Sequence, residues 1–357
     1  MLNRRTLLGS SLLASAAVAG CISAPAPATR QVTAPSAKLR IALGSCIDQN
    51  RPQPIWDTIL AAKPDMFLFG GDNVYASDQP FSLQKLEKAY ATLATNPGFA
   101  QLRQTVPHLA IWDDHDYGKN DAGVEFADKQ VAKDAFLKFW QIPVADARRN
   151  REGLYHTQTT GAPGQRLQII LLDVRWSRSP WKPTDQRDAP GKERYVPDVS
   201  PSKTMLGDAQ WQWLEAQLRQ PADVRLIVSG IQVVTNGHGW ESWSLFPAER
   251  ERLYRLIAST QAQGVVFLSG DRHIGALYAE PSAGPYPMFE MTSSGMTHAW
   301  AGAKEAGPNR LGELVTQNHF GLVDVNWAAR RLRLSIQNLA GATVRQHDVA
   351  LQDLVKR

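Results

Sequence analysis

The sequence predicts an α/β protein in which strands and helices alternate as far as His273 and strands dominate afterwards. Three stretches carry the prediction. Pro64 to Phe69 is a short apolar run, read as a buried strand, that ends in Gly70-Gly71-Asp72-Asn73-Val74-Tyr75. Leu109 to Trp112 runs into Asp113-Asp114-His115-Asp116, and Val265 to Gly270 runs into Asp271-Arg272-His273. Each strand ends by releasing an aspartate, twice with a histidine beside it. Ligands bind at the carboxyl ends of parallel strands in open α/β sheets. If these three strands are parallel neighbours, their polar groups converge on one rim and build a metal site.

The elements follow in order. Lys38 to Ser45 reads as the first strand, ending at Cys46. Residues 54–62 read as a helix with Ile55, Ile59 and Leu60 inward. After the Asp72 strand, residues 81–95 place Leu83, Leu86, Tyr90 and Leu93 at helical spacing, and Asn96-Pro97-Gly98 is expected to end that helix. After the Asp113 strand comes a helix over residues 128–140, then the strand Arg166 to Asp173. Residues 177–202 have no period and many Pro, Asp, Arg and Lys residues; a loop of that length inside a domain is usually functional or mobile. An amphipathic helix over 207–218, a strand over 224–230 and a helix over 247–262 precede the Asp271 strand. Beyond it, residues 277–280, 289–292, 321–327, 331–337 and 344–349 read as strands, the last three as hairpins.

Composition sets the class. Of 357 residues, 43% are hydrophobic and 20% charged, which fits a globular chain and excludes a disordered one. The formal net charge is +5, and two of the positive charges, Arg4 and Arg5, lie in a segment expected to be removed. With no basic stripe interleaved with aromatics, no nucleic-acid partner is expected.

The N-terminus reads as an export signal. Asn3-Arg4-Arg5-Thr6-Leu7-Leu8 resembles a twin-arginine motif, and the apolar stretch to Gly20 is too short for an ordinary membrane span. Val18-Ala19-Gly20-Cys21 resembles a bacterial lipobox, which implies cleavage before Cys21 and acylation of its sulfur; a plain signal peptide is the alternative. The expected organisation is a signal peptide over 1–20, a flexible tether rich in Ala, Pro, Thr and Ser over 21–37, and one domain over 38–357. The address is then the periplasmic side of a bacterial membrane, with the lipid on Cys21 as the membrane contact. The other cysteine, Cys46, would have no disulfide partner.

Taken together, GSC (44–46), GGDNVY (70–75), WDDHD (112–116), LDVRW (172–176), LGDAQWQWL (206–214), SGIQVV (229–234) and SGDRH (269–273) resemble the alkaline phosphatase D-like (PhoD-like) family of the calcineurin-like metallophosphoesterase superfamily. The resemblance covers roughly residues 39 to 280. It implies a four-layer αββα sandwich with the site on loops at strand ends. It also implies a two-metal centre holding Fe3+ and Ca2+. Asp72 matches the aspartate that bridges both cations. Cys46 and Tyr75 are similar to ligands of a ferric ion, which lowers thiol and phenol pKa values enough to bind the anions. A small buried hydrophobe and a core aromatic are the plainer readings of those two. Asp114 would bind the second metal and His273 the ferric ion, with Asp271 on the second metal; carboxylates at these places suit calcium. Gln232 stands where a further histidine ligand is usual, and its carbonyl oxygen would serve instead.

His115 would be the catalytic proton donor or the electrostatic partner of the phosphate, with Asp113 or Asp116 orienting it. Arg175 would grip a phosphate oxygen with its planar fork, or else form an internal salt bridge to Asp173 or a neighbour. Trp176, Trp181, Trp240 and Trp243 are candidates for a substrate cleft, and His238 and His298 lie in loops that could approach the site. The implied activity is hydrolysis of a phosphate ester by a metal-bound hydroxide. Two alternatives stand beside it: a phosphodiesterase or phospholipase acting on envelope polymers or lipids, and a metal- or phosphate-binding lipoprotein without turnover.

Overall fold

The computed structural model describes residues 37–356. The expected leader, Cys21 and all of the tether but Ala37 lie outside the described residues. Twelve strands follow in the order β1 (Lys38–Gly44), β2 (Met66–Gly70), β3 (His108–Ile111), β4 (His156–Thr160), β5 (Leu167–Leu171), β6 (Val224–Ser229), β7 (Val265–Ser269), β8 (Gly275–Glu280), β9 (Met288–Ser293), β10 (His319–Asn326), β11 (Arg331–Asn338) and β12 (Thr343–Ala350). The helices are α1 (Ile55–Ala61), α2 (Leu83–Ala94), α3 (Pro97–Thr105), α4 (Asp114–Tyr117), α5 (Lys129–Phe139), α6 (Gly207–Leu218) and α7 (Pro247–Ser259).

The strands form two six-stranded sheets, ordered β12-β11-β10-β1-β2-β3 and β4-β5-β6-β7-β9-β8. In the first, β1, β2 and β3 are parallel and β10 to β12 add on antiparallel. In the second, β5, β6, β7 and β9 are parallel, with β4 and β8 as antiparallel edges. The central strands are buried on both faces, which is why they read as continuous apolar runs rather than alternating ones.

Aromatic packing shows which helices cover which sheet. Trp56 of α1 and Phe99 of α3 lie 6.2 and 5.8 Å from the Phe69 ring of β2, and Trp140, just after α5, lies 4.6 Å from it. Tyr254 of α7 packs on Phe267 of β7, and Gln168 of β5 bonds the Gln217 carbonyl of α6. Between the sheets, Gly321 of β10 leaves room for the Met291 side chain of β9. The result is helices, sheet, sheet, helices, as expected.

Three elements were not read from the sequence: α3, the single turn α4 and β4. α2 does end at Ala94, just before Asn96-Pro97-Gly98, but a further helix starts there: Asn96 accepts the Phe99 N–H and caps α3, in which Pro97 is the first residue. Proline suits that position because the first turn leaves its N–H unpaired anyway. β4 was not expected; its HTQTT stretch lies half exposed at a sheet edge, so it carries no apolar signal.

Candidate metal centre

Seven parallel strands, three in one sheet and four in the other, deliver their ends to one rim. β1 delivers Cys46, β2 Asp72, and β3 the Asp113–Asp116 turn that becomes α4. From the second sheet, β7 delivers Asp271 and His273, and β9 delivers Ser294. The loops meet closely enough to demand glycine. Gly71 has φ +107°, and a Cβ there would lie 2.5 Å from Asp113 Cβ; a Cβ on Gly270 would lie 2.6 Å from Ser45 Oγ. Cys46, Asp72, Asp271 and His273 all hold left-handed backbone, with φ of 61, 50, 67 and 54°. Such conformations cost about 1 kcal/mol or more apiece for non-glycine residues and concentrate at functional sites.

Asp72 sits at the middle. Its Oδ2 accepts from Cys46 Sγ at 3.5 Å and from the Tyr75 hydroxyl at 3.3 Å, and its Oδ1 accepts the His115 backbone N–H at 3.2 Å. Tyr75 Oη lies 2.9 Å from His273 Nε2. Donor atoms of Cys46, Asp72 and His273 fall within 4.8 Å of one another, and so do those of Asp72, Asp114 and His115. A further such group joins Asp113, Asp114 and Asp271, and another Asp114, Asp121 and Glu241.

The electrostatics show what this arrangement lacks. Burial, and then the Asp114 charge, push the Asp72 carboxyl well above its ordinary range. Burial does the same to the Asp271 carboxyl and the Tyr75 hydroxyl, and takes the Cys46 thiol to about 11. Burial and the neighbouring His298 lower His273 to about 3. Asp114 goes the other way: burial opposes ionisation, but His115, Arg175 and the Asp121 N–H hold it at about 2. Asp114 Oδ1 and Asp113 Oδ2 are buried without a hydrogen-bond partner among the described residues. Packed anionic groups with orphaned oxygens require a compensating positive charge. Multivalent cations fit the donors, which are thiol, phenol and imidazole on one side of Asp72 and carboxylates on the other.

Of the residues read as metal ligands, the structure brings Cys46, Asp72, Tyr75, Asp114, Asp271 and His273 together around Asp72. Gln232 is a correction. Its fully buried side chain is spent on other groups, donating to Tyr278 Oη and Thr292 Oγ1 and accepting from His238 Nε2, all at 3.0 Å. Its carbonyl oxygen is bonded to His238, and no contact joins it to the groups around Asp72 among the described residues. Arg175 is a second correction as a phosphate-gripping group. Its side chain has no exposure; Nε bonds Asp113 at 2.5 Å and the two terminal nitrogens clasp Glu241 at 2.7 and 2.9 Å. The internal salt bridge is the reading the geometry supports, with partners other than Asp173.

His115 Nδ1 is bonded to Ser77 Oγ at 2.6 Å, so Ser77 rather than Asp113 or Asp116 orients the ring. Asp116 instead binds the Asp113 N–H and the Asn73 amide, which fixes the turn. Of the four tryptophans considered, Trp240 alone lines the cleft above the centre; Trp176, Trp181 and Trp243 are buried. His298 does approach, its ring 4.9 Å from Tyr75 and 4.4 Å from His273. Sequence reasoning missed Asp121 and Glu241. Neither follows an apolar strand directly, so the pattern that exposed the others gave no signal.

Comparison with known proteins agrees with this fold. A family model described as PhoD-like phosphatase matches residues 41–326. Alkaline phosphatase D of Bacillus subtilis (strain 168) is 24% identical over 244 residues, 63% of this chain but 40% of that protein, so the match spans less than half of the relative's length. A solved structure of PhoD superposes with a TM-score of 0.67 at 17% identity, covering 91% of this chain and 70% of that one. The purple acid phosphatase PPD1 from yellow lupin (Lupinus luteus) seeds superposes at 0.57 with 12% identity, covering 88% and 54%. The two superpositions share the fold, and the family model spans every strand-end motif from Cys46 to His273; the chain belongs to the PhoD-like phosphatase family.

Proposed function

We propose that this protein is a metal-dependent phosphoester hydrolase, carried on one domain of residues 38–357 and held by lipid on Cys21 at the periplasmic side of a bacterial membrane. The observation that carries the catalytic reading is Asp72, whose two oxygens face two different donor groups. A carboxylate so placed can hold two cations at once. Fe3+ suits Cys46, Tyr75 and His273, whose thiol and phenol become strong ligands beside a trivalent ion; Ca2+ suits Asp114 and Asp271. Two cations bound there supply positive charge to the phosphoryl oxygens and acidity to a water nucleophile.

The chain's own groups do the rest. Ser77 fixes one ring nitrogen of His115, leaving Nε2 to give a proton to the departing oxygen. Arg175 holds Asp113 and Glu241 in place beside Asp114 and keeps Glu241 ionised, while burial still lifts Asp113 to about 7. Arg4-Arg5 and the Val18–Cys21 motif support export and anchoring.

The test is turnover of an aryl phosphomonoester and an aryl phosphodiester by the purified protein, with metal analysis of the same sample. Hydrolysis of at least one, abolished by chelation and restored by metal, is expected. Metal without turnover of either would leave a binding protein. For the anchor, Cys21→Ser should move the protein out of the membrane fraction or leave its leader uncleaved; unchanged fractionation and maturation would overturn the lipid assignment.

A further inference from the structure

The cleft above the centre has a volume of about 440 Å³ and two unlike walls. One is the acidic rim, with Asp114, His115, Asp271 and His273. The other carries Arg187, Arg194, Trp240 and Trp300 and takes no part in the metal centre. Arg187 and Arg194 come from the long loop of residues 177–202. That loop is fastened: the Tyr195 hydroxyl donates to Asp121 at 2.7 Å, the Arg194 and Tyr195 N–H groups donate to the Gly239 carbonyl at 3.0 and 2.8 Å, and the Gly239 N–H donates to Glu193. Gly239 is required there, since a Cβ would lie 2.5 Å from the Glu193 nitrogen.

The nearby acids Glu193 and Asp121 are engaged by other donors, Glu193 by the Gly191 and Gly239 N–H groups and Asp121 by the Tyr195 hydroxyl. The Arg194 guanidinium lies over the Trp240 ring, 4.6 Å from its centroid, and bonds Asp188. Arg187 is 3.9 Å from the same carboxylate. Two guanidiniums therefore share one exposed acid. Arg272, also 4.6 Å from the Trp240 centroid, is neutralised separately by Glu305. Trp300 meets Trp240 edge-on at 5.8 Å and is 42% exposed. An open indole beside a cationic edge accepts a carbon skeleton that ends in an anion.

We propose that the substrate is a phosphate ester whose alcohol carries a second anionic group, held by Arg187 and Arg194 while its carbon chain lies on Trp300. This rests on the phosphoesterase reading and names its substrate class. The acidic rim takes the ester that is cleaved, and the opposite wall sets the preference among esters.

The experiment compares propyl phosphate with propane-1,3-diyl bisphosphate, which differ in the second anion. The wild-type protein should favour the bisphosphate by about tenfold in kcat/KM, chiefly through KM, an advantage that shrinks as ionic strength rises. The double variant Arg187→Gln/Arg194→Gln should bring the ratio of the two kcat/KM values towards one. Asp188→Asn should raise the ratio, because it frees both guanidiniums; asparagine tolerates the left-handed φ of 64° at that position. Equal rates for the two esters, or a double variant that keeps the preference, would overturn the assignment. If neither ester is turned over, the phosphoesterase reading fails by itself, and titration calorimetry decides the rest: bisphosphate bound by the wild type and lost in the double variant supports the arginines, and no binding sinks them.

Discussion

The centre has two halves that meet at Asp72 and balance charge in opposite ways. On the Cys46 side, among the described residues, no lysine or arginine bonds Cys46, Tyr75 or His273. Thiol, phenol and imidazole sit in contact, and burial drives all three towards their neutral forms. On the Asp114 side the acids are more numerous, yet Arg175 is planted among them and bonds two directly. Asp114 is thus ionised far below neutrality, while Cys46 holds its proton far above it. The first half must shed protons to bind a cation, whereas in the second Asp114 is already charged to receive one and Asp271, pushed up by burial, has still to ionise. The same buried rim therefore contains a ligand set with no built-in cation and one that Arg175 compensates in part.

The largest expected effect is at the junction. Asp72→Asn removes the charge that both halves share, so both metals and all measurable turnover should be lost together. His115→Ala is its counterpart: metal content should persist while turnover falls by about 10²–10⁴, the usual scale for a general acid. Metal analysis and single-turnover assays separate the two, and a His115→Ala protein without metal would show that the halves are not independent of that ring.

Next comes the built-in cation. Arg175→Met leaves Asp113 and Glu241 buried without their partner, and breaking a buried pair costs about 3–5 kcal/mol. Denaturant melts should show that loss, and added calcium should recover part of it. A loss under about 1 kcal/mol would erase the contrast drawn between the halves.

Much of this was legible beforehand, for a physical reason. A strand buried on both faces must be apolar, and a metal rim must be anionic, so the boundary between them is sharp in the sequence at Asp72, Asp113 and Asp271. Tyr75 and His273 are fixed by proximity to such boundaries. Glu241 and Asp121 come from loops packed in by tertiary contacts, and nothing local marks them. Arg175 shows a different limit: a guanidinium suits a substrate phosphate and a buried carboxylate equally well, and only the fold reveals that two carboxylates already occupy it. Gln232 shows a similar limit, because the group its carbonyl meets, His238, lies six residues on in an irregular loop.

A smaller effect tests what lies behind the Cys46 half. His319 is fully buried; its Nε2 accepts the Ser294 N–H at 3.2 Å and its Nδ1 donates to the Gln317 carbonyl at 2.8 Å. Burial lowers it to about 4. The unfolded chain takes up a proton near pH 6.5 and the folded one does not until about 4, so stability should fall as pH drops through that window, by up to about 3 kcal/mol. His319→Gln should be less stable at neutral pH but flatter across it; an equally steep profile would move the acid sensitivity elsewhere.

The smallest effect is the most specific. Tyr75→Phe keeps the ring against His115, 4.1 Å between centroids, and deletes only the hydroxyl. If iron occupies the Cys46 half, the purified protein is coloured by charge transfer from phenolate and thiolate. The substitution should then weaken or shift the visible band, and Cys46→Ser should disturb the same band. A colourless active protein, indifferent to both changes, would mean that the two halves bind the same kind of ion.

The pairing of β1 with β10 has a consequence for biosynthesis. Arg40 and Asp324 bond across that pair at 2.7 Å, although 284 residues separate them. At about 5–20 residues per second, β1 waits roughly 15–60 s after leaving the ribosome before its antiparallel neighbour exists. Its other neighbour, β2, arrives early, so for most of synthesis the nascent first sheet ends in an open, apolar edge at β1. The window for mispairing or chaperone capture therefore closes late, with the emergence of residues 319–326. A ribosome stalled before that point would hold a chain whose Cys46 loop has no finished sheet to stand on.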